Sequence, residues 1–296
     1  MIKKYGILAY PAKHSLSPVM YNAAFKKLGI DATYEIFEIE PDKLAEFLQD
    51  IKNGKRQISG LSVSLPHKEA VIKYLDWISG DARKIGAVNT ILNKDGKLSG
   101  FNTDFEGATK SLEEAMFGGN ELKNKNCLKN KKIIIIGAGG ACRAIAYGLL
   151  KKGAEIIILN RTVEKAEKIA DDFGKLFEVG IKVGRIDEII NYDFDILIQT
   201  TSIWLTERTD TKIIPDEFFK KMQMEHKKKD KLIVMDVVYK PLMTPLLREA
   251  SKYGGKIVTG DKMLLNQAIT QFEILTDRKL PLETVKLALE NLLKIQ

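Results

Sequence analysis

One continuous stretch, KKIIIIGAGGACRAIAYGLLKKGAEIIILNRT at residues 131–162, constrains this chain more than any other. Residues 133–136 are uninterrupted isoleucine, the pattern of a strand buried on both faces. A glycine loop follows at once, then an alanine-rich helical run, then a second apolar strand at 156–159. Two parallel strands joined by a crossover helix form a βαβ unit. The loop, Gly137-Ala138-Gly139-Gly140-Ala141-Cys142, fits GxGxx followed by a small residue, in the strand-to-helix context the motif requires. Its glycines permit a tight turn and close backbone approach, so the diphosphate of a dinucleotide meets free amides at the helix N-terminus. Gly137, Ala138, Gly139, Gly140 and Ala141 are therefore candidate cofactor contacts. Cys142, where the third glycine would stand, reads as a small packing residue rather than a reactive thiol.

The end of the second strand selects the dinucleotide. Proteins that take NAD place an acidic residue there against the ribose hydroxyls. This chain has Asn160, Arg161 and Thr162, with Lys165 one helical turn further on. A carboxylate repels a 2′-phosphate, whereas an arginine forms charge-assisted bonds to it. NADP is the expected cofactor, and Thr162 also stands where it could cap the following helix.

Around this unit, the 296 residues are 45% hydrophobic and 29% charged, enough for a sizeable core in two domains or one large one. Short β-branched runs alternate with amphipathic stretches, which predicts an α/β fold with helices over mainly parallel sheets. Strands are expected at 5–10, 33–39, 58–63, 194–199, 232–236 and 256–258. Helices are expected at 17–28, 41–51, 104–117, 261–275 and 282–295. Asp95-Gly96 between alternating segments predicts a two-residue hairpin turn. Its register would set Asn89 against Asn102 and Ala87 against Asp104, gathering polar groups on one side of the ribbon. The lysine-rich stretch 118–131 is the best linker candidate. Together with the return of the C-terminal segment it implies two crossings between domains and a hinge.

Several function classes drop out. No apolar run approaches the roughly 18 residues of a membrane span, and Pro11 breaks the opening segment too early for a secretory signal, so a cytoplasmic protein is expected. Cys127 and Cys142 form no CxxC and offer neither a disulfide framework nor a zinc site. The formal charge of +8 lies largely in two blocks, Lys123, Lys125, Lys129, Lys131 and Lys132, then residues 226–231. Neither block belongs to a nucleic-acid module, so they read as solvated loops and helix ends, and the excess charge could steer an anionic ligand. His14 and His67 have no identifiable acid–base partner and are read as structural.

The segments YPAKHSLSP, SVSLPHK, GAVNT and GFNTD, then the glycine loop with NRT, then DVVYKPLMTPLL and GDKMLLNQA, resemble the shikimate dehydrogenase family in order and spacing. The resemblance covers most of the chain, from about residue 6 to about residue 273. It implies reversible reduction of 3-dehydroshikimate to shikimate with NADPH. It also implies an N-terminal α/β substrate domain, residues 1–104 completed by helices at about 261–296, and a Rossmann-type doubly wound domain at 105–260. Carried over by position, Lys68 and Asp104 are the catalytic pair. Ser15 and Ser17 hold the substrate carboxylate with help from Tyr239, and Ser64, Asn89 and Gln267 hold the ring hydroxyls. Val237 and Gly260 line the nicotinamide pocket. Independently of the resemblance, HSLSP puts two hydroxyls at a helix start, where amides welcome a carboxylate and where Ser17 could equally cap the helix before Pro18.

The chain departs from the family pattern at several places. Ser62 stands where the family usually has asparagine, Ser64 where it has threonine, and Gln199, Thr200 and Trp204 differ after a Rossmann strand. Ser62 has a shorter reach and fewer donors. The Ser62 and Trp204 departures keep a second reading open, a paralogue acting on quinate or another cyclic hydroxy acid. A catalytically silent dinucleotide-binding regulator is a third, against which the polar set Lys68, Asp104, Asn89 and Gln267 argues. The expected partner is a small molecule rather than nucleic acid or membrane, and the expected assembly a monomer or homodimer.

Overall fold

The structure is a computed structural model that describes residues 2–13, 15–117, 126–203, 213–214, 217–220 and 232–294. His14, Trp204 and the lysines at 123–125 and 226–231 lie outside these residues. The chain divides into two compact units, Met1–Thr103 with Gln267–Gln296, and Asp104–Asn266. The two passages thus fall at Thr103–Asp104 and at Asn266–Gln267, not in the polar stretch 118–131 expected to link domains, of which 118–125 lie outside the described residues.

In the first unit, β1 (Lys3–Ala9), α1 (Ser17–Leu28), β2 (Ala32–Glu38), α2 (Leu44–Lys52) and β3 (Gly60–Val63) form two βα repeats, with β1 parallel to both β2 and β3. Pro41 opens a 3₁₀ turn, Pro41–Lys43, ahead of α2 rather than the helix itself. The chain continues through α3 (His67–Ala70), β4 (Trp77–Ile78) and α4 (Gly80–Ile85), then β5 (Thr90–Lys94) and β6 (Lys97–Phe101), giving the sheet order β2-β1-β3-β5-β6-β4. The β5–β6 hairpin turns at Asp95-Gly96, where both residues have positive φ, 51° and 82°. That is the backbone a two-residue turn needs to match strand twist.

The hairpin ladder runs from Lys94↔Lys97 to Thr90↔Phe101 and stops. The expected pairs of Asn89 with Asn102 and of Ala87 with Asp104 do not form. Polar side chains take over the backbone beyond Phe101: Asn89 Oδ1 accepts from Thr103 N at 2.9 Å, and Asn102 Nδ2 donates to the Ala87 carbonyl at 2.9 Å. Asp104 opens a helix instead of continuing a strand.

The second unit starts with α5 (Asp104–Phe117) and continues through β7 (Lys132–Ile136), α6 (Gly140–Lys151), β8 (Glu155–Leu159), α7 (Val163–Phe177) and β9 (Lys182–Gly184). After β10 (Ile196–Gln199) and β11 (Ile233–Asp236) come α8 (Pro245–Lys252) and β12 (Lys256–Val258). Its six-stranded sheet is parallel throughout, in the order β12-β11-β10-β7-β8-β9. Counted within this sheet from β9, that is strand order 3-2-1-4-5-6, the doubly wound Rossmann arrangement. The strand order reverses between β7 and β10, the switch point outside whose carboxyl strand ends doubly wound sheets bind ligands. Ile133–Ile136 are wholly buried, as a strand covered on both faces demands.

The C-terminal helices are α9 (Gly260–Thr276), within which the division at Asn266–Gln267 falls, and α10 (Leu282–Lys294). From Gln267 onward α9 is held in the first unit by aromatic packing. Phe272 is fully buried, with its ring 5.8 Å from those of both Tyr21 and Phe25 on α1. Burying such a ring contributes roughly 1.5–3 kcal/mol. Among the described residues no helix is long and apolar enough to cross a membrane.

Candidate active site

In the first unit, the residues before α1 present the serine pair. Leu16, not Ser17, holds the N-cap position, and Ser17 is already helical with Pro18 beside it. Ser17 therefore does not cap the helix; its own backbone N–H donates to Ser15 Oγ at 3.3 Å. Both hydroxyls lie at a helix start with no acidic residue in its first turn, suited to a carboxylate.

Ser64 and Lys68 flank a turn that other groups hold in place. His67 N donates to the Ser64 carbonyl at 2.9 Å, and Val88 N donates to the Lys68 carbonyl at 2.7 Å. The His67 ring is fully buried and its Nε2 lies 2.7 Å from the Ile39 carbonyl. A carbonyl only accepts, so Nε2 carries the proton. Burial pulls the imidazole below its ordinary pKa against the opposing effect of that carbonyl, and His67 is a neutral structural residue. The backbone bond from Val88 to Lys68 fixes Lys68 next to the segment that carries Asn89.

Asn89 and Gln267 meet inside a continuous buried chain of polar groups. Asn89 Nδ2 donates to Thr103 Oγ1 at 2.9 Å and approaches Gln267 Oε1 at 3.4 Å, and Thr103 Oγ1 donates to the same Gln267 oxygen at 3.1 Å. On its other side Asn89 Oδ1 accepts from Thr90 Oγ1 at 2.8 Å. Thr90 Oγ1 in turn accepts from Gln271 Nε2 at 2.7 Å, and Gln271 Oε1 accepts from Ser62 Oγ and from Tyr21 OH, both at 2.6 Å. Tyr34 OH donates to Ser62 Oγ at 2.5 Å. Ser62, which departs from the family pattern, thus has its hydroxyl engaged within the fold. Burial, with the neighbouring Tyr34 next, pushes the Tyr21 phenol well above its ordinary pKa, so it remains a donor. Sequence reasoning missed Tyr21, Tyr34, Thr90, Thr103 and Gln271. The one available signal was Gln271 itself, a second glutamine one turn after Gln267 on the same helix.

In the second unit the glycine loop is built for an anion. Gly137 has φ +114°, and a Cβ there would run into Thr200 Oγ1, so only glycine fits between the ends of β7 and β10. Thr200 Oγ1 is fixed by donating to the Ile136 carbonyl at 2.7 Å. Gly139 is the N-cap of α6; its first turn holds no acid, no side chain caps it, and space is open where a Cβ would stand. Gly140 and Ala141 begin the helix, and Cys142 behind them is fully buried. A helix start with no acidic residue, no capping side chain and open space at Gly139 fits a dinucleotide diphosphate.

At the end of β8, Asn160 Nδ2 donates to the Thr162 carbonyl at 2.8 Å, folding the turn before α7. Thr162 takes the N-cap position, but its side chain makes no capping bond, so the expected cap is not realised. Arg161 and Lys165 are exposed, and among the described residues neither makes an ion pair. The strand end Asn160-Arg161-Thr162 carries a cation and no carboxylate, which fits a 2′-phosphate, and the one acid nearby is Glu164 in the first turn of α7.

Beyond β11 a buried carboxylate organises the loop. Asp236 is fully buried; it accepts from Thr244 Oγ1 at 2.7 Å, Val238 N at 2.9 Å and Gln199 Nε2 at 3.3 Å. Gln199 Oε1 also accepts from Thr201 N, so this departure from the family pattern ties together the ends of β10 and β11. Val237 N donates to the Gln199 carbonyl at 3.1 Å. A Cβ at Gly260 would lie 2.5 Å and 2.6 Å from the Val238 and Val237 carbonyls, so glycine is what lets α9 begin against Val237. Val237 and Gly260 are thereby brought together.

Of the proposed catalytic pair, Lys68 stands on α3 in the first unit and Asp104 is the first residue of α5 in the second. Tyr239 also belongs to the second unit, and Ser15 and Ser17 to the first.

Comparison with known proteins agrees with this architecture. The model of the shikimate dehydrogenase substrate binding domain matches residues 7–91, and that of shikimate / quinate 5-dehydrogenase matches residues 121–239. A shikimate dehydrogenase (NADP(+)) of Pyrococcus abyssi is 41% identical over 93% of this chain and 92% of its own. A crystal structure of a shikimate dehydrogenase in complex with NADP+ is 38% identical over 98% of this chain and 96% of its own, with a TM-score of 0.85. The Thermus thermophilus shikimate 5-dehydrogenase in complex with NADP(H) and shikimate is 32% identical over 98% and 99%, with a TM-score of 0.80.

Proposed function

The chain belongs to the shikimate dehydrogenase family, and on that premise we propose that it catalyses the reversible NADP-dependent reduction of 3-dehydroshikimate to shikimate. The observation that carries this reading is the buried Asn89–Gln267 contact within the unit that also bears Lys68, Ser15 and Ser17. A polar cluster of this kind suits a polyhydroxylated ring acid, and a protein that only senses a dinucleotide has no use for it.

In this reading the first unit is the substrate-binding catalytic domain and the second the dinucleotide-binding domain. Ser15 and Ser17, with Tyr239, hold the substrate carboxylate; Ser64, Asn89 and Gln267 hold ring hydroxyls. NADPH supplies the hydride when bound, with its diphosphate on the glycine loop and its 2′-phosphate on Arg161, Thr162 and Lys165. Val237 and Gly260 line the nicotinamide side. Lys68 donates a proton to the carbonyl oxygen as negative charge grows there, and Asp104 orients the ammonium or a ring hydroxyl. The enzyme works in the cytoplasm, as a monomer or homodimer.

Initial rates with shikimate and with quinate, each with NADP and with NAD, test the whole reading. The highest kcat/KM is expected for shikimate with NADP. A higher value for quinate would favour the paralogue reading, and no turnover of either acid would overturn the proposal. Cofactor choice has its own test in Arg161→Ala. Loss of a charge-assisted bond worth about 1.5–3 kcal/mol should raise the KM for NADP roughly 10- to 100-fold and leave that for NAD nearly unchanged. Equal loss with both cofactors would remove Arg161 from the 2′-phosphate site.

A further inference from the structure

We propose that Gln271 is a positioning residue for substrate binding: it pins α9 to the start of β5 and so sets how Gln267 and Asn89 meet. The inference rests on the reading of Asn89 and Gln267 as substrate ligands and adds the element that aligns them.

Gln267 and Gln271 are four residues apart on α9, and such residues share one face of a helix. Gln271 is 2% exposed and uses both ends of its carboxamide. Its Nε2 donates to the Asn89 carbonyl at 3.0 Å and to Thr90 Oγ1 at 2.7 Å, two successive residues where the hairpin begins. Its Oε1 accepts from Ser62 Oγ on β3 and Tyr21 OH on α1. One side chain therefore ties α9 to three other elements of the first unit.

The donors and acceptors also run in one direction. Tyr34 donates to Ser62, Ser62 to Gln271, Gln271 to Thr90, and Thr90 to Asn89 Oδ1. Ser62 and Thr90 each accept on one side and donate on the other, so reversing the Gln271 carboxamide would set its NH2 against the Ser62 and Tyr21 hydroxyls that donate to its oxygen. With Asn89 Oδ1 occupied by Thr90 and by Thr103 N, the Asn89 amide group faces Thr103 Oγ1 and Gln267 Oε1. A helix shift of a fraction of an ångström at Gln271 is passed directly to Gln267 one turn away, and ligand geometry tolerates little such play.

The test compares Gln271→Met, which keeps length but not polarity, with Thr90→Val, Thr90→Ser and Asn89→Ala in the full-length enzyme. Gln271→Met is expected to raise the KM for shikimate about tenfold and to leave kcat within about threefold and the KM for NADP within about twofold. Thr90→Val should raise the shikimate KM about three- to fivefold, and Thr90→Ser, which restores the hydroxyl, should return it to wild type. A lowered melting temperature with an unchanged shikimate KM in Gln271→Met and Thr90→Val would reduce the network to a purely structural one and overturn the proposal. If Gln271→Met fails to fold, the Thr90 pair decides: equal KM values for Val and Ser overturn it. A raised KM in Asn89→Ala alone overturns the pin and leaves the ligand reading standing. An unchanged KM in Asn89→Ala overturns the ligand reading itself.

Discussion

Replacing Lys68 with methionine is expected to lower turnover about 100- to 10,000-fold while shikimate still binds, the range of general acid–base catalysis. Reduction of a ketone puts negative charge on the carbonyl oxygen, and that oxygen needs a donor. A lysine ammonium both stabilises the charge and delivers the proton; in the oxidation direction the amine takes it back. Methionine matches the lysine stem in length and removes only the charged head, so the variant separates chemistry from packing. The scaffold supports the comparison: Lys68 is half-buried on a turn whose backbone is held by Val88 N and His67 N. None of those bonds involves the lysine head. Turnover should be read by steady-state kinetics and binding by calorimetry. Near-normal turnover would take Lys68 out of the proton transfer, and abolished binding would make it chiefly a substrate ligand.

The cofactor half of the chain was the more legible because its signals are local. Four consecutive isoleucines, a glycine loop and an alanine-rich helix lie within a few turns of one another and specify strand, turn and helix without reference to anything distant. The Asp95-Gly96 turn was legible for the same reason: both residues accept positive φ, and the register follows from the turn. α1 likewise spans the expected Ser17–Leu28. Elements too short to show a period were not legible, among them β4 with two residues, α4 with six and β9 with three. Neither cap that the sequence allowed is formed. Ser17, which could equally have capped α1, lies inside the helix with Leu16 at the N-cap and its amide on Ser15, and the Thr162 hydroxyl makes no capping bond. The least legible part was the network behind Asn89, since Ser62 lies 209 residues from Gln271 and Tyr21 lies 250 from it. Only folding brings such partners together, and a lone glutamine on a helix does not announce them.

Asp236→Asn is expected to stabilise the protein above neutral pH and to do little below about pH 4. Burial raises the Asp236 carboxyl from 3.8 to about 7, against the lowering effects of Val238 N, Thr244 and Gln199. Between those two values the folded state keeps a proton that the unfolded chain has released. Stability at this site is therefore fully present below about pH 4, declines as pH rises towards 7, and then stays low. About three pH units at 1.4 kcal/mol each give on the order of 4 kcal/mol. Asparagine mimics the protonated acid. Its carboxamide oxygen can accept from Val238 N and Gln199 Nε2, and its NH2 can donate to a rotated Thr244 hydroxyl. The Thr244 hydroxyl also accepts from Leu247 N at the start of α8, at 3.4 Å, so its rotation limits the gain. Melting temperatures of both proteins from pH 5 to pH 8 give the answer in their difference, which cancels the titration of every other group. That difference should widen in favour of the variant as pH rises. Parallel profiles would mean that the three donated hydrogen bonds outweigh burial and hold Asp236 ionised throughout, and the carboxylate would then be a stabilising anchor of the Val237 loop instead of a cost to the fold.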